Sequence, residues 1–305
     1  MILAPLRGVT IRCFRETFAE VIRESGFTEA VTPFIGSMPG IDPMKNYELR
    51  IVNEECRKES SHSSLITRHS SFFRVTPQFI GKDPAALRTC LERVKAAGYE
   101  TADLNCGCPY PMVRNKRRGS GILRTPDVLR RMLEVGCEVM GPGKFSIKAR
   151  LGVDRNDELL GLMPLINLFP LRFLTVHART ARQMYDGVID AEGLQKVQAA
   201  SKVPIVINGD IPFPLASAST RGRVGYSDVM VGRSFIRFLG TRDDIGELLD
   251  RYIVASQAEL CGDRPVLGRM KELLSYWKDL PWWNRRWSVL KLARSVDELR
   301  SVAIV

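Results

Sequence analysis

Two basic side chains near the middle of the sequence are associated with short β-branched stretches typical of buried strands. Lys148 lies within residues 146–150, and His177 directly follows residues 173–176. A cation and a hydrogen-bond donor on neighbouring strands could lie against an electron-rich ring and tune its reactivity, as proteins do for a bound flavin. Taken singly, Lys148 could equally be a solvated charge and His177 a structural histidine.

Two turns later in the chain combine glycine with a nearby cation. They are Asn208-Gly209-Asp210 and Gly232-Arg233. Glycine lets backbone N–H groups approach phosphate oxygens, and barrel enzymes often hold a phosphate after their seventh and eighth strands. The two turns therefore predict a phosphate site, although a Gly-Arg pair alone is often only a turn.

Cys106 and Cys108 form a C-x-C pair, a spacing that suggests metal binding or redox exchange. Zinc sites need further ligands at recognisable spacing, and with three histidines in the chain no such set forms. We expect no metal. Cys108 stands just before Pro109 at the end of a predicted strand, where a thiol can deliver a proton to a substrate carbon. A buried, inert cysteine is the alternative.

These residues act together only if the chain brings them together, and up to about residue 240 strand and helix patterns alternate. The predicted strands span residues 2–4, 30–32, 75–80, 101–104, 146–150, 173–176, 204–207 and 228–231. Helical patterns lie between them, for example 85–97 after Asp83-Pro84, and another that Thr125-Pro126 opens in the same way. Eight such units favour an α/β fold, a (β/α)8 TIM barrel, with its active site at the carboxyl ends of the strands. An open doubly wound sheet is the alternative.

The strand pattern stops near residue 241. Residues 244–260, 266–278 and 285–296 all have helical patterns. We therefore predict a catalytic barrel domain over residues 1–240 and a small helical C-terminal domain over residues 241–305.

The formal net charge is +11, which favours an anionic partner. Residues 110–150 carry ten Lys/Arg against three Asp/Glu, and residues 264–294 carry eight against two together with all four tryptophans. The seven cysteines are scattered, which argues against a disulfide framework. Without a secretory or membrane-spanning apolar run, the protein is expected to be cytoplasmic.

Eight segments, in this order, resemble the dihydrouridine synthase family, FMN enzymes that reduce the C5–C6 double bond of uridine in tRNA. They are LAPLRGVT (3–10), QFIGKDP (78–84), DLNCGCP (103–109), GSGIL (119–123), IKARLGVD (147–154), TVHART (175–180), INGDI (207–211) and VMVGR (229–233). The resemblance covers about residues 1–240 strongly and the C-terminal helices more loosely.

The resemblance implies roles for most of the residues named above. Pro5, Leu6 and Gln78 would contact the isoalloxazine, Lys148 and His177 its polar edge, and Asn208, Gly209, Asp210, Gly232 and Arg233 the ribityl phosphate end of FMN. NADPH, or NADH, would reduce the flavin, which then gives hydride to C6 of uracil while Cys108 protonates C5 as general acid.

The resemblance also implies how tRNA is bound. Asn105 would orient the uracil, and Arg179 and Tyr185 would contact the flipped nucleotide. Basic residues on the loop after Cys108 and in the C-terminal region would hold the rest of the RNA; these are Arg114, Lys116, Arg117, Arg118, Arg269 and Lys271. The form of the NCGCP segment and the compact helical tail are similar to the bacterial branch acting on uridine 16 of the D-loop, and a monomer is expected.

Two positions depart from the family pattern. Leu6 replaces a frequent methionine, a nearly isosteric change, and Ala191 replaces a frequent tryptophan, which leaves the choice of substrate open. Three alternatives remain at this point: the same reaction on rRNA, a flavin barrel that reduces a free pyrimidine or other small molecule, and a non-catalytic RNA-binding factor that kept the barrel.

Overall fold

The computed structural model of the protein describes residues 1–49, 73–215 and 228–304, so Cys56 lies outside the described ranges. Within them, ten strands form one sheet whose neighbouring strands run parallel. The strands are β1 (Ile2–Leu3), β2 (Glu29–Val31), β3 (Ile35–Ser37), β4 (Arg74–Thr76), β5 (Gln78–Gly81), β6 (Ala102–Cys106), β7 (Phe145–Gly152), β8 (Leu174–Thr180), β9 (Ile205–Asn208) and β10 (Asp228–Val231).

The ten strands occupy eight positions of a closed barrel, because two positions are each divided between consecutive short strands, β2 with β3 and β4 with β5. Only Pro77, which has no N–H to donate, separates β4 from β5. β4 pairs with β2, whereas β5 pairs with β3 and also with β6. From β6 the order continues through β7, β8, β9, β10 and β1 back to β2. This closure confirms the predicted TIM barrel and rules out an open doubly wound sheet.

Three neighbouring strands end two or more residues later than predicted. β6 ends at Cys106 rather than at residue 104. β7 ends at Gly152 rather than at residue 150, and β8 ends at Thr180 rather than at residue 176. His177 therefore lies inside β8, paired with Asn208, and Lys148 lies inside β7, paired with Asn105 of β6. In β8 the polar residues His177, Arg179 and Thr180 hide the strand signal, since they break the apolar pattern without breaking the hydrogen-bonded ladder.

The barrel helices are α1 (Arg12–Thr17), α2 (Ala19–Glu24), α3 (Pro84–Ala96), α4 (Pro111–Arg114), α5 (Pro126–Met140), α6 (Glu158–Ile166), α7 (Ala191–Ala200) and α8 (Arg233–Leu239). Asp83 caps α3 as predicted, accepting from the N–H groups of Ala85 and Ala86 at 3.0 and 3.2 Å. The equivalent prediction for Thr125 is wrong in one respect. α5 begins at Pro126, but the Thr125 hydroxyl donates back to the carbonyl of Ile122 and caps nothing.

Four helices follow the barrel: α9 (Ile245–Glu259), α10 (Asp263–Ser275), α11 (Pro281–Leu290) and α12 (Val296–Ala303). The predicted helix over 285–296 is therefore wrong in its bounds, and α12 was missed. Its signal was the Ser295-x-x-Glu298 pattern, since the Ser295 hydroxyl accepts from the Glu298 N–H at 3.1 Å.

One hydrophobic cluster joins the C-terminal helices to the start of the barrel. Phe14 of α1 and Phe18, which lies between α1 and α2, stack at 4.5 Å between ring centroids, and both pack edge-on against Tyr252 of α9. Trp277, with no exposed surface, belongs to the same cluster as Leu3 of β1. The division of the chain into two domains at residue 240 stays a prediction. Among the described helices none is long and apolar enough to cross a membrane.

Candidate active site

A cavity of about 1230 Å³ opens at the carboxyl ends of the strands and extends toward α10. Its lining includes thirteen of the residues predicted from sequence: Pro5, Leu6, Asn105, Cys108, Lys148, His177, Tyr185, Asn208, Gly209, Asp210, Gly232, Arg233 and Arg269. Predicted residues outside the lining are Gln78, Arg114, Lys116, Arg117, Arg118, Arg179 and Lys271. The closed barrel thus collects side chains from segments more than 260 residues apart.

The backbone of Cys108 is held on both sides. Asn105 Oδ1 accepts from the N–H groups of Gly107 and Cys108 at 3.0 and 2.8 Å. Ser120 donates its N–H and its hydroxyl to the Cys108 carbonyl at 3.1 and 2.9 Å. The thiol thereby sits in a fixed position on the cavity wall, with 6% of the residue exposed.

Burial raises the pKa of the Cys108 thiol, and the nearby Arg150 and Lys148 cations counteract only part of that rise. The group is therefore protonated at neutral pH. The same cations would stabilise the thiolate left behind after the proton is given up. A thiol in this setting suits a proton donor rather than a nucleophile.

Gly119 packs directly against Cys108 from the 3-10 helix Gly119–Arg124. Its φ is +55°, and a Cβ added there would lie 2.7 Å from Cys108 Cβ and 2.9 Å from the Cys108 carbonyl oxygen. Only glycine combines that backbone angle with so close an approach. The sequence showed the GSGIL segment without indicating this contact.

Lys148 and His177 both have lowered pKa values, with burial as the largest cause. The pKa of Lys148 falls to about 8, to which the neighbouring Arg150 also contributes. The pKa of His177 falls far below its usual value, because Lys148 and Arg150 add their repulsion to burial. At neutral pH the site therefore presents a cation and a neutral imidazole side by side.

Arg150 has a structural role that its position in the sequence did not reveal. Its guanidinium is buried and donates to the carbonyls of Gly107 at 2.9 Å, Thr180 at 3.0 Å and Met184 at 2.5 Å. It therefore joins the loop of Cys108 to the loop after β8. The Arg150 guanidinium carbon also lies 5.3 Å from the centre of the Tyr185 ring.

Asp210 joins two arginines at the rim of the cavity. It pairs with Arg179 and with Arg233. Burial opposes ionisation of Asp210, but the two ion pairs outweigh it and lower its pKa. Arg179 also donates to the Gly187 carbonyl, and its side chain is only 3% exposed, so little of the guanidinium is accessible to a nucleotide.

Gln78 is fully buried beneath the cavity wall. Its Nε2 donates to Asp103 Oδ2 at 2.8 Å, and its Oε1 accepts from Asn105 Nδ2 at 2.8 Å. Asp103 also accepts from the Ser146 hydroxyl at 2.6 Å, and burial raises its pKa to about 6. Sequence reasoning missed Asp103 and Ser146, although a charged residue inside a buried strand was a usable signal.

The predicted RNA-binding basic residues differ in how they are engaged. Within the described ranges, no ion pair involves the loop residues Arg114, Lys116 or Arg117. Arg118 lies against Met38 with its Nη1 3.0 Å from the sulfur. In the C-terminal helices, Arg269 pairs with Glu259 at 2.9 Å, and the Lys271 ammonium donates to the Ala293 carbonyl at 2.6 Å. The two C-terminal cations therefore already have partners within the protein.

The tryptophans divide between core and surface. Trp277 and Trp283 are buried, and their indole N–H groups donate to the carbonyls of Ile236 and Gly240. Trp282 is 40% exposed with Arg286 stacked 3.8 Å from its ring centre.

Among the residues that the structure describes, no group of three potential ligands could hold a metal ion.

Comparison with known proteins gives both a family and a fold. The dihydrouridine synthase family model matches residues 2–237. The tRNA-dihydrouridine synthase B of Vibrio cholerae is 29% identical over 234 residues, which are 76% of this chain and 66% of the relative. The protein of the same name from Escherichia coli K12 is 27% identical over 257 residues, covering 82% of this chain and 74% of the relative.

The fold is shared with solved structures at low sequence identity. An old yellow enzyme homologue from Zymomonas mobilis superposes with a TM-score of 0.54 at 12% identity, covering 82% of this chain and 88% of that one. Morphinone reductase gives 0.51 at 12% identity, covering 78% and 82%. These likenesses agree with the closed barrel.

Proposed function

Because this chain belongs to the dihydrouridine synthase family, we propose that it reduces the C5–C6 double bond of a uridine in the tRNA D-loop, with FMN as cofactor and NADPH or NADH as reductant. The observation that carries the proposal is the protonated Cys108 thiol on the wall of a cation-lined cavity. We take tRNA as the substrate because the relatives are named tRNA-dihydrouridine synthases. The match to this chain covers 66% of the length of the Vibrio cholerae relative. Uridine 16 as the target and a monomeric state stay predictions.

The cavity suits FMN in size and in chemistry. At about 1230 Å³ it exceeds the roughly 300–1,000 Å³ of ordinary ligand pockets, which leaves room for a nucleotide beside a flavin. The two glycines at the expected phosphate end lie close to neighbouring side chains. A Cβ added at Gly232 would lie 3.1 Å from Ala4 Cβ, and a Cβ added at Gly209 would lie 2.5 Å from His177 Cδ2. Arg233 begins α8 beside Gly232 and supplies positive charge.

We assign the ring of FMN to Pro5, Leu6, Lys148 and His177, and its phosphate end to Asn208, Gly209, Asp210, Gly232 and Arg233. Gln78 is fully buried outside the cavity lining and accepts from Asn105, which does line the cavity, so we assign it an indirect role through Asn105. When bound, FMN would supply the hydride that adds to C6 of the uracil.

Cys108 completes the reduction. Its Sγ gives a proton to C5 of the uracil, and the resulting thiolate, stabilised by Arg150 and Lys148, regains a proton from solvent. Asn105 orients the base through its side-chain amide. Tyr185 lines the same cavity with its ring between Arg150 and Arg233 and packs against the extruded nucleotide.

A uridine inside folded RNA must leave its stack to enter this cavity, at a cost of a few kcal/mol. Basic surface beside the opening compensates by binding phosphates. Arg114, Lys116, Arg117 and Arg118 lie on the segment that follows Cys108, while Arg269 lines the cavity from α10, two residues before Lys271.

The test is to map dihydrouridine in total RNA from cells with and without this protein, and to repeat the reaction with purified protein, FMN and either nicotinamide. We expect dihydrouridine at one D-loop position of tRNA. Dihydrouridine in rRNA alone would change the substrate, turnover of free uracil derivatives without tRNA would favour a small-molecule reductase, and a protein that stays colourless with added FMN would favour a non-catalytic RNA-binding factor.

A further inference from the structure

Three buried side chains form a hydrogen-bonded chain that leads to the loop of Cys108, and the last of them, Asn105, lines the cavity. Asp103 accepts from Gln78, Gln78 accepts from Asn105, and Asn105 accepts from the backbone N–H groups of Gly107 and Cys108, all within 2.8–3.0 Å. Asp103 and Gln78 have no exposed surface, and Asn105 has 8%. We call this chain of contacts the amide relay.

The direction of every bond in the amide relay is fixed from both ends. At one end, backbone N–H groups can only donate, so the Asn105 oxygen must face them and its nitrogen must face Gln78. At the other end, an ionised Asp103 can only accept, so the Gln78 nitrogen must face it. Both ends demand the same orientation of the two amides between them.

This orientation decides what Asn105 can offer to a ligand. Its oxygen already accepts two hydrogen bonds and one N–H is given to Gln78. The second Nδ2–H is the remaining hydrogen-bonding group of a side chain that lines the cavity. Asn105 can therefore donate to a base but cannot accept from one.

Resting on the proposed function, we infer that Asp103 and Gln78 are positioning residues that hold Asn105 as a fixed hydrogen-bond donor and thereby select a base edge carrying a carbonyl oxygen. Uracil presents such an oxygen at C4, where cytosine has an amino group that can only donate. A buried donor facing a donor leaves both unpaired, so the fixed amide favours uridine over cytidine. The same amide holds the N–H of Cys108, which couples recognition of the base to placement of the thiol.

The decisive test exchanges the amide and carboxylate of the amide relay. In Gln78→Glu, two carboxylates face each other, and the relay survives only while they share a proton. In the double variant Asp103→Asn/Gln78→Glu, the new amide at position 103 can donate to the new carboxylate at position 78. That carboxylate can accept from Asn105, and Ser146 can donate to the amide oxygen at position 103. Every contact is then restored with its direction at Asn105 unchanged.

We expect kcat/KM for tRNA of Gln78→Glu to fall as pH rises from 6 to 9, reaching a loss of about tenfold or more at the upper end. The double variant should recover to within about threefold of the wild type and lose that extra pH dependence. Asp103→Asn alone should lose about two- to threefold, since the amide that replaces the carboxylate can still accept from Gln78 and donate to Ser146. Each variant is assayed with its bound flavin measured in parallel.

Some outcomes would overturn the amide relay while leaving the proposed function intact. A double variant no more active than Gln78→Glu would do so, as would a loss in Gln78→Glu that follows flavin content, because Gln78 would then serve the cofactor directly. If instead the wild type makes no dihydrouridine, the proposed function itself fails. In that case the amide relay is tested by the rate at which the Cys108 thiol is alkylated. That rate should change in Gln78→Glu and return toward the wild-type rate in the double variant, with a small change in Asp103→Asn.

Selectivity for the base is measured by binding. Once mapping has located the target, transcripts with uridine or cytidine at that position are compared on flavin-loaded protein. The wild type should prefer uridine by about tenfold, and Gln78→Glu at pH 9 should lose most of that preference. Equal preference in both proteins would show that Asn105 does not read the base.

Discussion

Cys108 combines a fixed backbone with a thiol that burial keeps protonated. Cys108→Ala should retain bound FMN and the oxidation of NADPH, because in the proposed mechanism the thiol acts only in protonating the base. Formation of dihydrouridine should fall by about 10²–10⁴-fold. Both activities are measured on unmodified tRNA. Cys106→Ala, which removes a fully buried thiol outside the cavity lining, is the matched control, and full product yield from Cys108→Ala would remove the thiol from the mechanism.

Lys148 should make cofactor binding depend on pH. Its pKa is lowered to about 8, so the side chain is a cation at pH 7 and becomes neutral as pH rises through 8. The affinity of the flavin-free protein for FMN should therefore fall above pH 8, by up to about tenfold for each pH unit. Equilibrium titration of flavin fluorescence from pH 6.5 to 9.5 measures this change.

The control for this dependence is Lys148→Met, which keeps much of the side-chain volume without the charge. We expect weaker binding of FMN that is flat across the same pH range. A slope in Lys148→Met equal to that of the wild type would assign the titration to another group.

At the scale of elements, the 3-10 helix Gly119–Arg124 holds the loop of Cys108. Gly119→Ala combines an unfavourable φ of +55° with a Cβ 2.7 Å from Cys108 Cβ, so it should cost about 1–3 kcal/mol of unfolding free energy and lower product yield more than flavin content. Urea unfolding measures the cost. Gly143→Ala, at φ +70° with open space around it, isolates the backbone contribution. An equal cost for both variants would mean that the contact with Cys108 is unimportant.

The strands and helices could be predicted where the apolar periodicity was unbroken, and not where polar residues of the candidate site interrupt it. The eight strand positions of the barrel and the start of α3 with its Asp83 cap could be predicted from the sequence, because apolar repeats and an Asp-Pro pair are local signals. The continuation of β8 through His177 was not, since its polar residues interrupt the apolar pattern. The contact of Gly119 with Cys108 and the bond between Gln78 and Asp103 join residues distant in sequence. Only the closed barrel determines such contacts.

The loop around α4 should contribute to tRNA binding through its basic side chains, of which Arg117 is exposed and Arg118 is half-buried. Arg117→Glu/Arg118→Glu should weaken tRNA binding and reduce the slope of log affinity against log salt by about two, with flavin content unchanged. Binding at several salt concentrations gives that slope. Lys144→Glu/Lys202→Glu makes the same charge change with exposed lysines at the opposite end of the barrel, before β7 and β9. Equal effects of the two double variants would show only a dependence on net charge.

At the scale of the whole molecule, the C-terminal helices and the barrel share one hydrophobic cluster, which favours unfolding of the described chain as a unit. Trp277 is central to that cluster, with no exposed surface and its indole N–H bonded to Ile236 of α8 at 2.6 Å. Trp277→Ala should therefore cost about 3–5 kcal/mol in the unfolding of both parts together.

Comparing the unfolding midpoints of two signals distinguishes a shared core from two independent domains. Urea unfolding followed by far-UV circular dichroism and by flavin release should shift to the same lower midpoint in Trp277→Ala. Trp282→Ala, which removes a tryptophan 40% exposed on α11, should cost only about 0.5 kcal/mol. If Trp277→Ala lost helix signal in an early step while flavin release kept its original midpoint, the residues after 240 would be a separate folding unit. The barrel would then hold the flavin without the α10 side chains, such as Arg269, that line the cavity in the folded chain.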